Sequence, residues 1–554
     1  MKIIKRFLPK FYLLLFTFYL FTSTLFSQTA FEPLHREVYG FLDRLSARGI
    51  IEYHDLITPV SRMTIAEKLR ELSQMQDELT ALEKQELAFL LQDFKFELDR
   101  LNTVEITGED FSYLGKDVAG RWRALSYRDD HFSINFSPIY GVRYGQNDGK
   151  SQSHRWNGAY LYGYLGENWA FSFDFRDNRE AGDNVDESKS FSPVTGIDVD
   201  ERDLATGNAI EYSEVRTTLS YDWSWGRAVF GKDFINWGYA QNGKVVLSDK
   251  APSFPFLRLD INPTHWLKFN YFHGWLESDV VDSTAIYPTL RENANSFGFR
   301  EKFLASHTVT LTPKRGLDFS IGESIIYSDQ LEVAYLMPLM FFRLADHYLS
   351  DRQNSAGSNA QLFFAASARN LIPKTHIYGE LLIDDLSVAN IFNAEKQINH
   401  LGGSVGAMIT DLPVNNLSVR AEYSRINPFV YKHFIPTLLY TSSSYPLGHW
   451  LGHNADILFG EISYRFRRGI SAKIWGQNIR KGGEGQVEDQ YTLPHKPFLF
   501  GPVQKFTDWG ASLRYEILHD LIAELKYESL QSQRIEITNG KTQNHISLAI
   551  FYGM

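Results

Sequence analysis

No cysteine occurs among the 554 residues. A disulfide framework, thiolate catalysis, thiolate-bound metal and a lipoprotein anchor are therefore excluded. Long apolar runs are also missing. After residue 30 no stretch resembles a spanning helix, and the mean hydropathy is −0.28 although aromatic residues make up 15% of the chain. A spanning helix needs about 20 apolar residues, so a helical membrane protein is excluded; a transmembrane β-barrel is not, because every second residue of its strands faces water. Positive charge is in deficit as well. The formal net charge of −10 is the reverse of the basic footprint of a general nucleic-acid binder.

What is present begins with an export signature. Lys2, Lys5, Arg6 and Lys10 precede an apolar run from Phe11 to Phe21, followed by small and polar residues through Ala30. This is the order of a signal peptide over residues 1–29, and the run is too short for an anchor helix. The next segment, 30–105, has helical grammar. Val38, Phe41, Leu42 and Leu45 recur at helical spacing and Gly49 is placed to end that helix. Thr64 with Glu67, and Thr80 with Glu83, have the form of capping boxes opening two further helices. A small helical domain directly after an export signal is expected in the periplasm.

From about His131 the period changes to two, and 106–554 reads as the barrel. Phe171, Phe173 and Phe175 alternate with Ser172, Asp174 and Arg176; Leu219, Tyr221 and Trp223 alternate with Ser220, Asp222 and Ser224. Strand side chains point to opposite faces in turn, so each segment carries one apolar and one polar face. Short turns are expected at Gly166–Asn168, Pro313–Gly316, Asp411–Asn416, Arg467–Gly469 and Leu518–Asp520, and long polar loops at 145–157, 177–211, 425–456 and 478–506. That asymmetry is characteristic of outer-membrane barrels, and lipid forbids an open sheet edge. The expectation is a mainly β chain, a closed transmembrane antiparallel β-barrel of about 16–18 strands behind a periplasmic helical domain. The last strand shows Ile546, Leu548 and Ile550 on one face, yet its terminal aromatics, Phe551 and Tyr552, stop short of the final residue.

Four stretches carry a resemblance to the capsule assembly proteins of the Wzi type. They are HREVYGFLDRLSARGIIEYHDLITPVSRMTIAEKL (35–69), FGKDFINWGYAQNGKVVLSDKAPSFPFLRLD (230–260), YGELLIDD (378–385), and the segment 421–461 with EYSRINPFVY and PLGHWLGH. The resemblance implies an outer-membrane barrel of about eighteen strands with a periplasmic helical part. It also implies a lectin-like role in attaching surface polysaccharide to the cell. The expected partners are surface polysaccharide, outer-membrane lipid and lipopolysaccharide, with capsule export machinery beyond them. No cofactor, metal, catalytic residue or nucleic acid is expected.

Sugar recognition favours aromatic faces together with planar polar groups, which makes Trp237 and Tyr239 candidates beside Asn236 and Gly238. The competing reading places them in the interfacial aromatic girdle. Arg343, Arg425 and Tyr431 suit acidic sugars, since an Arg fork matches a carboxylate. Asp384 with Asp385, and His449 with His453 around Trp450, complete the candidate set. A carboxylate pair can also cleave glycosides and a His pair can ligate metal, but Gly448 and Gly452 argue against the helix such a His pair requires. Gly402-Gly403-Ser404-Val405-Gly406 matches a nucleophile elbow only in letters, because it lies inside a strand pattern. The acidic segment 176–211 reads as a solvated loop. The alternative to a polysaccharide binder is a porin-like channel lined by Arg420, Glu422, Glu461 and Arg465.

Overall fold

The computed structural model describes residues 29–183, 185, 201–203, 208–290, 295–353, 357–386, 399–531 and 542–553. The segment expected to be a signal peptide, apart from Thr29, and most of the acidic segment at 177–211 lie outside the described residues.

Four helices come first: α1 Glu37–Ala47, α2 Arg62–Gln74, α3 Ala81–Asp93 and α4 Lys95–Leu101. Val38, Phe41, Leu42 and Leu45 of α1 are buried against Ile65, Leu69 and Leu72 of α2, as their helical spacing requires. Gly49 ends α1 with φ +74°, and Ile50 N–H donates to the Leu45 carbonyl, a closure that a left-handed residue makes possible. The Thr80–Glu83 capping box opens α3 as expected. The other box is corrected: α2 starts three residues earlier than the motif suggested, because Ser61 is the N-cap and accepts the Thr64 N–H.

Eighteen strands then close an antiparallel barrel. They are β1 to β5 (Phe132–Asn147, Lys150–Leu165, Trp169–Ala181, Ala209–Trp223, Gly226–Asp233), β6 to β9 (Phe254–Thr264, Leu267–Pro288, Asn295–Lys314, Leu317–Ser328), β10 to β13 (Asn359–Arg369, Thr375–Leu386, Asn399–Thr410, Leu417–Ile426) and β14 to β18 (Ala455–Arg467, Ile470–Lys481, Gln504–Leu518, Leu521–Leu530, Gln543–Tyr552). Closure pairs β18 with β1 from Tyr552–Tyr140 to His545–Asn147. A hairpin, Asp110–Lys116 with Trp122–Arg128, extends the same edge of β1 at Ser133–Phe136.

The chain end is explained by this seam. Phe551 points inward against Trp156, while Tyr552 packs on Trp122 and donates its hydroxyl hydrogen to that residue's carbonyl. Outward positions are apolar, with Ile546, Leu548 and Ile550 each about half exposed. Aromatic pairs such as Trp169–Tyr221 and Trp509–Tyr527 stand on the outer wall. One loop expectation is corrected. Residues 145–157 are not a loop, because β1 and β2 pair without interruption from Phe132–Leu165 to Asn147–Lys150.

Candidate functional site

The inside of the barrel is filled from both ends. At the short-turn end the helical part is bound by buried charge pairs. Asp43 of α1 meets Arg369 and Arg420 at 3.4 and 3.1 Å, Arg44 meets Glu83 and Asp411, and Asp520 in the β16–β17 turn receives Arg36 of the helical part together with Arg121 of the 110–128 hairpin. Arg62 is fully buried between Glu32 and Glu97 and lies over the Phe94 and Tyr162 rings.

From the long-loop end two segments fold inward. Residues 234–253 follow β5, and their Asn236–Trp237 pairs with Ile57–Thr58 of the helical part. Gly238 (φ +139°) donates its N–H to Leu56, and a Cβ there would lie 2.5 Å from the Glu380 carboxylate. Glycine is what lets that carboxylate reach the loop backbone. Glu380 accepts the Tyr239, Ala240 and Val245 N–H groups, and Glu422 accepts those of Gln241 and Asn242 together with the Tyr378 hydroxyl. Two lumenal carboxylates thus satisfy five backbone donors, each bond to a charged acceptor contributing roughly 1.5–3 kcal/mol.

The second segment, 427–454, seals the first. Tyr431 and Tyr440 donate their hydroxyl hydrogens to the Val245 and Val246 carbonyls at 2.7 and 2.8 Å, Ser248 N–H bonds Leu447 at 2.7 Å, and the Trp450 indole donates to Asn242 at 2.7 Å. Trp237 packs on Phe272 and Phe363, both on the lumenal wall. A polar cavity of about 630 Å³ is left between the loop and the helices, bordered by Arg36, Asp43, Lys244, Arg420 and Glu461.

The nine candidate residues separate accordingly. Trp237 and Tyr239 are 1% and 2% exposed inside the lumen, so neither belongs to the girdle and neither meets the outside. Tyr431, His449 and His453 are buried in the second segment. Asp384 is half-buried, accepting the Tyr431 N–H and the Gln361 amide. His453 sits between Glu484 (2.8 Å) and the Phe429 N–H. Burial pushes His449 down to about 3, helped by the charge of Lys250, so it is neutral. Burial also lowers His453 against the pull of Glu484, whose own carboxyl is held well below the usual range by His453 and Lys481. Among the described residues no three His, Asp or Glu side chains converge as a metal site requires.

Asp385 and Arg425 are exposed at the rim, where the Arg425 guanidinium stacks over Phe498 at 3.8 Å. Arg343 lies outside the barrel altogether, in α5, Phe342–Gln353. Sequence reasoning missed the carboxylate Glu380, gave Glu422 only a pore-lining role, and missed Phe434, Tyr491 and Phe498 on the rim. The rim aromatics do carry a signal, since they stand in loops with no apolar alternation to explain them.

The four charges expected to line a pore do face the lumen, with Glu461 at the polar cavity, but the other three are engaged. Glu422 holds the inner loop, Arg420 is paired with Asp43, and Arg465 with Glu86 at 2.9 Å. Ser404, from the elbow-like pattern, is buried in β12 and bonds Ser424. A different triad-like group exists. Ser367 Oγ lies 2.9 Å from His376 Nε2, and His376 Nδ1 lies 3.3 Å from Asp43. Ser367 is 1% exposed, however, and also bonds Arg369, while Asp43 is committed to two arginines.

The fold and site define a class: an outer-membrane β-barrel whose lumen is occupied by a periplasmic helical part and two inturned loops. The model of the capsule assembly protein Wzi matches residues 113–546, and the chain belongs to that family. Among solved structures it is similar to Wzi of Escherichia coli, described as a carbohydrate-binding β-barrel involved in group 1 capsule assembly. The TM-score is 0.54 and the identity 11%, over 95% of this chain and 100% of that one. OccAB4 of Acinetobacter baumannii (TM-score 0.44, 9% identity, 76% of this chain and 97% of that one) and OprD of Pseudomonas aeruginosa (0.41, 11%, 76% and 94%) resemble it too loosely to bear on function. No curated protein matches the sequence.

Proposed function

We propose that this barrel binds surface polysaccharide, capsular or exopolysaccharide, through its outer loops and retains it at the cell without chemically altering it. The observation that carries this reading is the doubly occupied lumen: the inturned loops make a platform where a porin has a passage. The description of Escherichia coli Wzi as carbohydrate-binding supports the same reading. On the rim, Arg425 over Phe498 offers a cation to an acidic sugar and an aromatic edge to a neutral one. Tyr491 and Phe434, 64% and 61% exposed, add stacking surfaces. Each contact is weak, but a repeating polymer presents the next unit at high effective concentration. On the same rung as Arg425, Arg480 and Asp456 bond on the outward face, a polar step suited to lipid and lipopolysaccharide headgroups.

Deleting the gene is expected to move polysaccharide from cells to medium at unchanged total synthesis. Complementation with the Tyr491→Ala, Phe498→Ala double variant is expected to restore roughly a tenth of the retention, since small losses multiply along a polymer. Unchanged retention in the deletion strain sinks the reading. Purified protein in planar bilayers is expected to give no ohmic steps, and steady conductance would restore the channel. The Ser367–His376–Asp43 group gives the hydrolase reading its own test. A fluorophosphonate probe is expected to leave Ser367 unlabelled, and labelling there overturns the non-enzymatic assignment.

A further inference from the structure

In β7, β8 and β9 the residues Phe272, Leu304 and Ile326 face the lumenal core. Their neighbours Tyr271, His273, Phe303, Ala305, Ile325 and Tyr327 must therefore point outward. Outward residues of this barrel are generally half exposed, yet these six are at most 5% exposed. They are covered from outside by residues 329–353, through Tyr335, Phe342 and Leu349. The contact is also polar: Phe342 N–H, at the start of α5, donates to Glu323 at 2.6 Å; His307 lies 3.2 Å from Glu323; and Tyr271 donates to the Tyr335 carbonyl at 2.9 Å. A bare carboxylate and imidazoles on a lipid-facing wall would cost several kcal/mol. The covering segment satisfies them.

The outer side of that cover is apolar. Leu331, Val333, Met337, Leu339, Phe341 and Leu344 are 44–85% exposed, and the run Val333–Phe342 contains no charged residue. Its height follows from the neighbouring wall. On β14 the outward apolar residues reach from Phe466 to Leu458, and on β16 from Ile517 to Trp509. Each stretch is eight residue steps of tilted strand, roughly 20 Å of the ~25 Å apolar band. On β9 the same count from Leu317, beside its short turn, ends at Ile325, which the segment covers. Just below, Phe319 and Ile321 are 49% and 52% exposed to lipid. The apolar face is thus continuous with the lipid-facing wall and at the same depth.

We propose that residues 329–353 are a membrane-inserted cover on the outside of the barrel, whose exposed face takes the acyl chains of the outer leaflet. Arg343, exposed on the first turn of α5, reaches the headgroup layer on its long stem. The inference needs the outer-membrane barrel and not the polysaccharide reading. A chain without cysteine makes the test direct. Leu339→Cys and Leu344→Cys, with Ile462→Cys on the lipid-facing wall and Thr492→Cys in an outer loop as references, are labelled with an environment-sensitive fluorophore. Each is reconstituted in phospholipid vesicles after heat-modifiable migration shows that it is folded. Doxyl-labelled phospholipid is expected to quench positions 339 and 344 at least half as strongly as position 462, with blue-shifted emission. Weaker lipid quenching together with iodide quenching like that at 492 overturns the proposal. A probe shielded from both quenchers overturns it too, because protein, such as a second copy, then covers the face.

Discussion

Replacing Glu380 and Glu422 together by Gln is expected to release the inner loop from the lumen. The five backbone donors that these carboxylates satisfy lie on a loop that makes no strand pairing of its own beyond Asn236–Trp237 and a bridge at Leu247. Gln keeps one acceptor oxygen but turns an amide N–H₂ toward the remaining donors and removes the charge that strengthened every bond. At roughly 1.5–3 kcal/mol per charge-assisted bond, losing two of the five removes about 3–6 kcal/mol from the closed state. The reporter is Val246→Cys, at a position 2% exposed between the two inturned loops. With native carboxylates a membrane-impermeant maleimide is expected to label it negligibly. In the double variant the rate is expected to rise at least 100-fold, about 2.8 kcal/mol of opening free energy. An unchanged rate with intact heat-modifiable migration would mean that the packing around Trp237 and the bonds from residues 427–454 hold the plug without the carboxylates.

Asp520→Ala is expected to undock the helical part. Asp520 is 2% exposed and is the shared partner of Arg36 and Arg121. Removing one member of a buried ion pair costs about 3–5 kcal/mol, because the other charges stay buried without compensation. Trypsin cleavage within 29–105 is therefore expected to accelerate by about two to three and a half powers of ten, while the barrel resists. Asp520→Asn keeps a hydrogen-bond acceptor and should fall between. Acid should act in the same direction. Arg121 and Arg36 hold the Asp520 carboxyl well below the usual range despite burial, and His376, followed by Arg420 and Arg369, does the same for Asp43. A depressed folded pKa gives stability that is complete above the unfolded value near 3.9 and is lost as pH falls from there toward the folded one. Docking is expected to be constant from pH 7 to about 5 and to weaken below about 4; a midpoint near 6.5 would assign it to histidine.

The barrel and the leading helices were legible because their periods are enforced by lipid on one side and by the small helical core on the other. The strand hairpin at 145–157 was not legible. Gln146, Asn147, Lys150 and Ser151 continue the ladder with polar side chains on both faces, so the alternation that marks a strand disappears. The site was legible by place and not by role. Three of the four stretches that resemble the family supply the inturned loops and their two carboxylates, and the helical stretch supplies Leu56 and Ile57 against them. Trp237, Tyr239, Tyr431, Asp384, His449 and His453 have sugar-binding chemistry, but Trp237, Tyr239 and Asp384 join an inturned loop to the barrel wall, and Tyr431 and His453 join one loop to another. That difference depends on contacts across some 140 to 200 residues of chain, which local patterning does not encode.

The inturned loops also bear on mechanical load. Drag on a long polymer held at the rim, as proposed above, would pull on residues 427–454, and a simple hairpin would pass that force to two adjacent strands. Here the pulled loop is fastened through Val245, Val246 and Asn242 to a loop rooted between β5 and β6, and through that loop to β11 and β13. Tension entering at one point of the rim is spread across the diameter, so the barrel resists shear as a braced ring and not as a chain of separable staves.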